Sequence, residues 1–307
     1  MPADPFSGDV HPDAPDLALL FCRPRGADWA EDRFEYEAHA AEELGIPYHV
    51  VPIEPVVNEE YDLALDHLPP GRGRRWLFRG WMLSAEEYAG LYEAMLDRGD
   101  VLVVSPAAHE AATYLPLWFP QVADHTFPSV WTEGTNLEAA WSAARTLGPP
   151  PWVVKDHVKS AKEQWWTASF VPEGVDRTEF DDICTSLLDA RGDRFERGFV
   201  IRSFVPLERI PHPIAGVLIY NEHRLVFFHG RLVAAAPYND EVDVPRPDYD
   251  RFAWLGERID SPFFAVDIAR SEAGSWVVVE VNDGGSITLP DLLDPRDLLR
   301  AIVDLWD

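Results

Sequence analysis

Two apolar segments near the C-terminus each carry polar residues where a hydrophobe is expected. Asp267 interrupts F-F-A-V-D-I-A-R, and Glu280 and Asn282 interrupt W-V-V-V-E-V-N-D. Residues two apart share one face of a strand, and a hairpin around Gly274 lets Asp267 lie across from the pair. Two carboxylates and an amide form an all-oxygen set of the kind that takes Mg2+ and leaves room for phosphate oxygens. Burying two carboxylates without a cation is costly, so the alternative is an edge hairpin with these groups in solvent. Gly284-Gly285 ahead of Ser286 would let backbone amides approach an anion, which makes Ser286 a candidate substrate contact.

A second constellation is cationic. The chain has 26 Lys plus Arg against 53 Asp plus Glu, a formal net charge of −27, so a cluster of lysines stands out. P-W-V-V-K-D-H-V-K-S-A-K brings Lys155, Lys159 and Lys162 together, with Lys155 ending an apolar strand. The stretch reads either as a phosphate clamp or as a solvated basic turn. F-V-I-R-S-F-V-P-L-E carries Arg202, Phe204, Val205 and Glu208 out of another strand, or is an ordinary strand and surface turn. E-H-R-L-V-F-F-H-G-R-L-V-A is a hairpin turning at His229-Gly230. On the residues alone, its Arg224 reads as a surface arginine paired with Glu222. Arg79, in L-F-R-G-W, ends a strand before a helix, where α/β proteins place ligands. A bidentate contact to a substrate carboxylate and a structural salt bridge are both open for it.

These segments together resemble the ATP-grasp superfamily. V-D-I-A-R-S-E-A-G-S-W-V-V-V-E-V-N is similar to its final hairpin, and the resemblance implies that Asp267, Glu280 and Asn282 hold magnesium. Two ions are implied, bridged by Glu280, with Mn2+ as a substitute. It also implies that Lys155, with Lys159 and Lys162, holds the phosphates of ATP, and that backbone groups around Phe204 and Val205 read adenine. Glu208 would hold the ribose hydroxyls, and Arg202 would face phosphate or substrate. Catalytic roles fall to Arg224, Arg202 and Lys155, and substrate contacts to Arg79 and Ser286. The glycine-rich loop that commonly covers the phosphates after the lysine strand is absent; His157, Lys159, Ser160 and Lys162 stand there. A compact bacterial branch of predicted peptide or amino-acid ligases is similar over most of the chain, most specifically over Pro151–Leu289.

The elements that must position these residues follow from periodicity. Leu17–Arg23, Tyr48–Ile53, Trp76–Arg79 and Val101–Ser105 read as strands. Between them, helices run over Asp32–Leu44, stopped by Gly45, and from an N-cap at Ser84 to Arg98; another begins near Pro106. This alternation predicts a parallel sheet in a three-layer α/β domain. Pro128–Trp131 reads as a boundary and Asn136–Leu147 as a helix. The rest is α+β and mostly antiparallel: strands at Trp152–Lys155, Trp165–Val171, Phe199–Val205, Gly216–Tyr220, Arg224–Phe228, Arg231–Ala236, Phe263–Ala269 and Trp276–Val281. Helices lie at Thr178–Arg191 and from Pro295, and Tyr238–Asp250 reads as a mobile loop. The expected fold is an α/β N-terminal domain (1–127) followed by α+β ATP-grasp subdomains, central (128–204) and C-terminal (205–307), whose mixed and antiparallel sheets clamp the nucleotide.

Composition bounds the rest. A chain 47% hydrophobic with 12 Trp is folded, and at 307 residues it exceeds one core. The net charge disfavours nucleic acid and anionic membranes. No apolar run spans a bilayer, and the acidic, proline-rich Met1–Pro15 lacks the features of a signal peptide, so a cytoplasmic protein is expected. Cys22 and Cys184 read as reduced, partly buried thiols. There is no G-x-G-x-x-G, Walker loop, H-E-x-x-H or G-x-S-x-G. The expected function is an ATP- and Mg2+-dependent carboxylate–amine ligase acting through an acyl phosphate on a small-molecule or peptide substrate, with homodimerisation the default. An ATP-grasp phosphotransferase and a non-catalytic nucleotide-binding protein are the alternatives.

Overall fold

The structure is a computed structural model that describes residues 17–24, 26–27, 29–214 and 216–306. The reading of Met1–Pro15 lies outside the described residues. The chain forms two compact units. One comprises the chain up to Ala112 with Glu222–Asp267 and Asn282 onward; the other comprises Thr113–Asn221 and Ile268–Val281.

In the first unit, β1 (Leu17–Arg23), β2 (Tyr48–Pro52), β3 (Arg75–Arg79) and β4 (Val101–Leu102) make a sheet of order β2-β1-β3-β4. The pairings are parallel, as the alternating β-α pattern predicts. The central strand β1 is covered on both faces, which is why it is a continuous apolar run, buried from Leu17 to Cys22. The Glu35–Leu44 helix ends at Gly45 in the left-handed conformation. The Ala85–Asp97 helix starts on a capping box: Ser84 Oγ accepts from Glu87 N at 3.2 Å, and Ser84 N donates to Glu87 Oε2 at 2.7 Å. Val101–Ser105 pairs as a strand only over its first two residues. Cys22 is a buried free thiol, and burial pushes it up to about 12.

The second unit carries β5 (Ser129–Trp131), β6 (Trp152–Asp156), β7 (Phe170–Val171) and β8 (Phe199–Ser203) in the order β5-β8-β6-β7, with antiparallel pairings. Trp152, Val154, Phe199 and Ile201 pack with Phe180, Ile183 and Leu187 of the Arg177–Arg191 helix. The opposite face is left to Val153 and Lys155 of β6 and to Arg202, which sits across from Val153. The expected Trp165–Val171 strand is corrected: Trp165–Ala168 is a helical turn, and only Phe170–Val171 is extended. W-W-T-A has no alternation, and the turn brings both Trp165 and Trp166 against Phe170, at 5.9 and 5.2 Å. A short antiparallel ribbon, β9 (Arg209–Ile210) with β10 (Ile219–Tyr220), replaces the expected longer Gly216–Tyr220 strand.

The remaining strands, β11 (Glu222–Phe228), β12 (Arg231–Pro237), β13 (Phe263–Arg270) and β14 (Trp276–Asp283), form a sheet of order β12-β11-β13-β14. The division between units falls within β13 and β14. β11 and β12 turn at His229 (φ 45°) and Gly230 (φ 76°), the paired positive φ of a tight hairpin. Tyr249–Glu257, partly read as loop, is a 3-10 helix that buries Phe252 and Leu255.

Ser84→Ala should destabilise the fold by about 1 kcal/mol in urea unfolding, the usual worth of an N-cap. His223 is buried in β11 with Nδ1 2.9 Å from the Tyr249 hydroxyl, and burial, reinforced by Arg246, pulls it down to about 4. A histidine neutral when folded and charged when unfolded gives stability that is present above about pH 6.5 and lost as pH falls from there towards 4. The fall in melting temperature over that window should be smaller in His223→Gln; an equal fall would refute the assignment.

Candidate active site

The second unit gathers the cationic residues around one carboxylate. Lys155, on the open face of β6, donates through Nζ to Val158 O at 2.7 Å and to Glu280 Oε1 at 3.3 Å. Lys159 Nζ reaches Glu280 Oε2 at 3.4 Å. Burial pulls the Lys155 ammonium down to about 8 against the pull of Glu280. Burial also works against the Glu280 carboxylate, but Lys159, Lys155 and Lys162 outweigh it and hold the group well below the usual carboxylate range. Arg202 is pulled down to about 10 by burial, with Glu280 opposing. Its guanidinium donates to Ser129 Oγ (3.1 Å), Val279 O (2.7 Å) and Thr126 Oγ1 (2.8 Å), and lies 4.7 Å from the Phe127 ring centre. Held this way, Arg202 is a buried counter-charge locked to the sheet.

Part of this network lines a cavity of about 220 Å3. Lys155, Lys162, Arg202, Ser160 and Glu280 line it, together with Trp165, Phe204, Val205, Leu207 and Tyr220. An apolar slot with aromatic walls and a charged end suits a flat heterocycle carrying phosphates. Phe204 and Val205, the segment expected to meet adenine, line this cavity. Glu208 follows Leu207, but its carboxylate accepts from Asn221 Nδ2 at 2.7 Å and pairs with Arg270.

Asp267, Asn282, Arg224, Arg79 and Ser286 belong to the first unit. Arg224 grips Asp267 bidentately, Nε to Oδ1 and Nη2 to Oδ2, both at 2.8 Å, and donates through Nη1 to Thr288 O at 2.7 Å. Asp267 and Asn282 are buried. Ser286 donates from its backbone N and its Oγ to Asp283 O. Of the two readings open for Arg79, the structure shows the ion pair. Arg79 is 1% exposed, bound to Glu37 through Nε (2.7 Å) and Nη2 (2.5 Å), and donates to Gly284 O and to Ile287 O. These contacts, made to the backbone of the Gly-Gly loop, leave it bracing that loop.

Sequence reasoning missed Glu37, and it passed over His109 and Asp283. His109 stacks on Tyr88 with ring centres 4.2 Å apart, and its Nδ1 is 3.5 Å from Asp283 Oδ2. Asp283 Oδ2 also accepts from Gly285 N at 2.9 Å. A buried acid directly after Asn282 was the available signal. A wider open cleft of about 670 Å3 lies between the Glu35–Leu44 helix and Leu289–Arg296 and contains none of the predicted residues.

Among the described residues no three His, Cys, Asp or Glu side chains gather as a metal cluster. The predicted donors are two carboxylates and an amide, and Glu280 is held ionised by cations. That chemistry fits a hard ion that completes its shell with water and phosphate oxygens.

A family model described as an ATP-grasp domain, the third family of its clade, matches residues 146–302. A search of curated proteins gives no match. Among solved structures, the chain is similar to an ATP-grasp RimK domain protein from Sphaerobacter thermophilus (TM-score 0.60, 17% identity, 94% of this chain and 98% of that one). It is also similar to the D-cycloserine synthetase DcsG (0.62, 16%, 95% and 99%) and to the ATP-grasp ligase PsnB, solved with minimal precursor, Mg and ADP (0.53, 10%, 95% and 98%). At these identities the structural likeness speaks for the fold, and the family match covers just over half of the sequence, so the chain belongs to this family of ATP-grasp domains.

Proposed function

We propose that the chain is an ATP- and Mg2+-dependent carbon–nitrogen ligase that joins a carboxylate to an amine through an acyl phosphate. The observation that carries this reading is the Glu280 carboxylate held by Lys155 and Lys159 at the charged end of an apolar cavity. Trp165, Phe204 and Val205 would enclose the base, and Lys155, Lys159 and Lys162 would meet the phosphates. Asp267, Glu280 and Asn282 would hold the metal, which when bound would neutralise phosphate oxygens.

The substrate carboxylate attacks the γ-phosphorus and ADP leaves. The amine then attacks the acyl carbon, phosphate leaves, and the amine's proton passes to solvent. No side chain needs to become covalently attached; positioning and charge carry the rate. Arg224, bidentate on Asp267, and Arg202, bonded through three donors, are preorganised cations that would offset the developing charge. A peptide or amino-acid substrate is the class we favour, since similar folds include a D-cycloserine synthetase and a ligase solved with a peptide precursor.

Thermal melting tests the nucleotide site. ATP with Mg2+ at about 100 times its Kd should stabilise the wild type by roughly 2.7 kcal/mol, a rise of several degrees. Glu280→Gln should lose most of the part of that rise that needs Mg2+. No rise at any millimolar ATP would sink the nucleotide reading. Hydroxylamine tests the chemistry: a competent acid with ATP should yield a hydroxamate and ADP. ADP release from every acid without trapped hydroxamate would rule out the acyl phosphate.

A further inference from the structure

The turn after β6 stands where a glycine-rich loop would wrap phosphates with its amides, and here those amides are already engaged. Asp156 is fully buried. Its Oδ1 accepts from Val158 N at 2.7 Å and from Lys159 N at 2.5 Å. Asp156 N donates in turn to Lys159 O at 3.0 Å, which closes the turn on itself. The other carboxylate oxygen, Oδ2, accepts from Arg191 Nε at 2.7 Å and from Glu196 N at 3.4 Å. Arg191 is the last residue of the Arg177–Arg191 helix, where a cation suits the helix dipole, and its Nη2 donates to Arg194 O at 2.8 Å. Two consecutive amides converging on one oxygen form an anion-binding nest, and in this protein the anion is an internal side chain.

We propose that Asp156 is a positioning residue for triphosphate binding: it fills the amide nest of its own turn and, anchored by Arg191, holds Lys155 and Lys159 in place, so that phosphate is met by ammonium groups instead of backbone amides. The inference rests on the nucleotide reading above. Lys155 leaves β6 one residue before Asp156, and its Nζ binds Val158 O, whose own amide Asp156 holds. Lys159 leaves the turn from the second amide. Both ammonium groups then reach Glu280. Loss of the carboxylate would free two amides and slacken the backbone from which both lysines project, while the cavity walls at Trp165, Phe204 and Val205 lie outside this bonding.

The test compares ATP with adenosine, which lacks the phosphates, by calorimetry and ligand-observed NMR with Mg2+ present. Asp156→Ala should weaken ATP about tenfold, the worth of one charge-assisted contact, and leave adenosine unchanged. Asp156→Asn keeps an oxygen for the two amides but turns an NH2 towards the donors Arg191 Nε and Glu196 N, so for ATP it should fall between wild type and alanine. Equal ATP affinity in Asp156→Ala, or a parallel loss of ATP and adenosine, would overturn the proposal; so would a loss in Asp156→Asn as deep as alanine's. If Asp156→Ala does not fold, Arg191→Gln decides: a loss of ATP affinity with adenosine unchanged supports the proposal, and unaltered ATP affinity overturns it. A wild type that binds no ATP would remove the nucleotide reading and this inference together, whereas a wild type that binds, with indifferent variants, removes this inference alone.

Discussion

A half-buried carboxylate, Glu280, paired with two lysines is the interaction around which the cations of the second unit gather. In a chain with twice as many acids as bases, cations are a scarce resource, and three lysines and an arginine act on Glu280. Burial disfavours the charges of Glu280, Lys155 and Arg202, and their mutual attraction opposes it. Hydrogen bonds from the surrounding structure hold two of these cations in place. Arg202 is tied to β5 by Ser129, to the chain ahead of it by Thr126, and to β14 by the Val279 carbonyl. Lys155 is folded back onto its own turn. Two of the cations are thereby directed at the Glu280 carboxylate from the end of β6 and the turn that follows it.

Much of the frame was legible because local and global preferences agree. The β-α alternation up to Pro106 predicts the parallel sheet, Ser84 with Glu87 announces a helix start, and Gly45 its neighbour's end. The lysine cluster and the polar interruptions of β13 and β14 stood out against the composition. What failed to show lacked period. β9 and β10 are two residues each, too short to alternate. W-W-T-A-S-F-V has the aromatic content of a strand, yet its first four residues curl so that both tryptophans meet Phe170. Partnerships were the least legible. Glu37 lies forty-two residues from Arg79 and Arg191 thirty-five from Asp156, and nothing in the sequence couples either pair. Only folding makes Arg79 a brace for a loop and Asp156 the lock of a turn.

The first unit applies a related device to the loop after β14. Arg79 spans Glu37 and two backbone carbonyls of that loop, and Asp283 binds the amide of Gly285 while facing His109. Buried polar groups of this kind are specific only when their partners are in place. In each unit an ion pair between residues far apart in sequence, Arg79 with Glu37 and Arg191 with Asp156, holds a loop through hydrogen bonds to its backbone.

The glycine pair in that loop is constrained by space. A Cβ on Gly284 would fall 2.4 Å from the Phe263 ring, and one on Gly285 would fall 2.8 Å from Asp283 Oδ2 and 3.0 Å from Phe78. Both rings are buried in the core. Descent with modification must therefore treat these positions as linked. A lineage that acquires a side chain at 284 has to make room at residue 263, and one that alters 285 has to move the Asp283 carboxylate and the strand at Phe78. Coupled change at 284 with 263, and at 285 with 283, is the mark this loop should leave on related sequences.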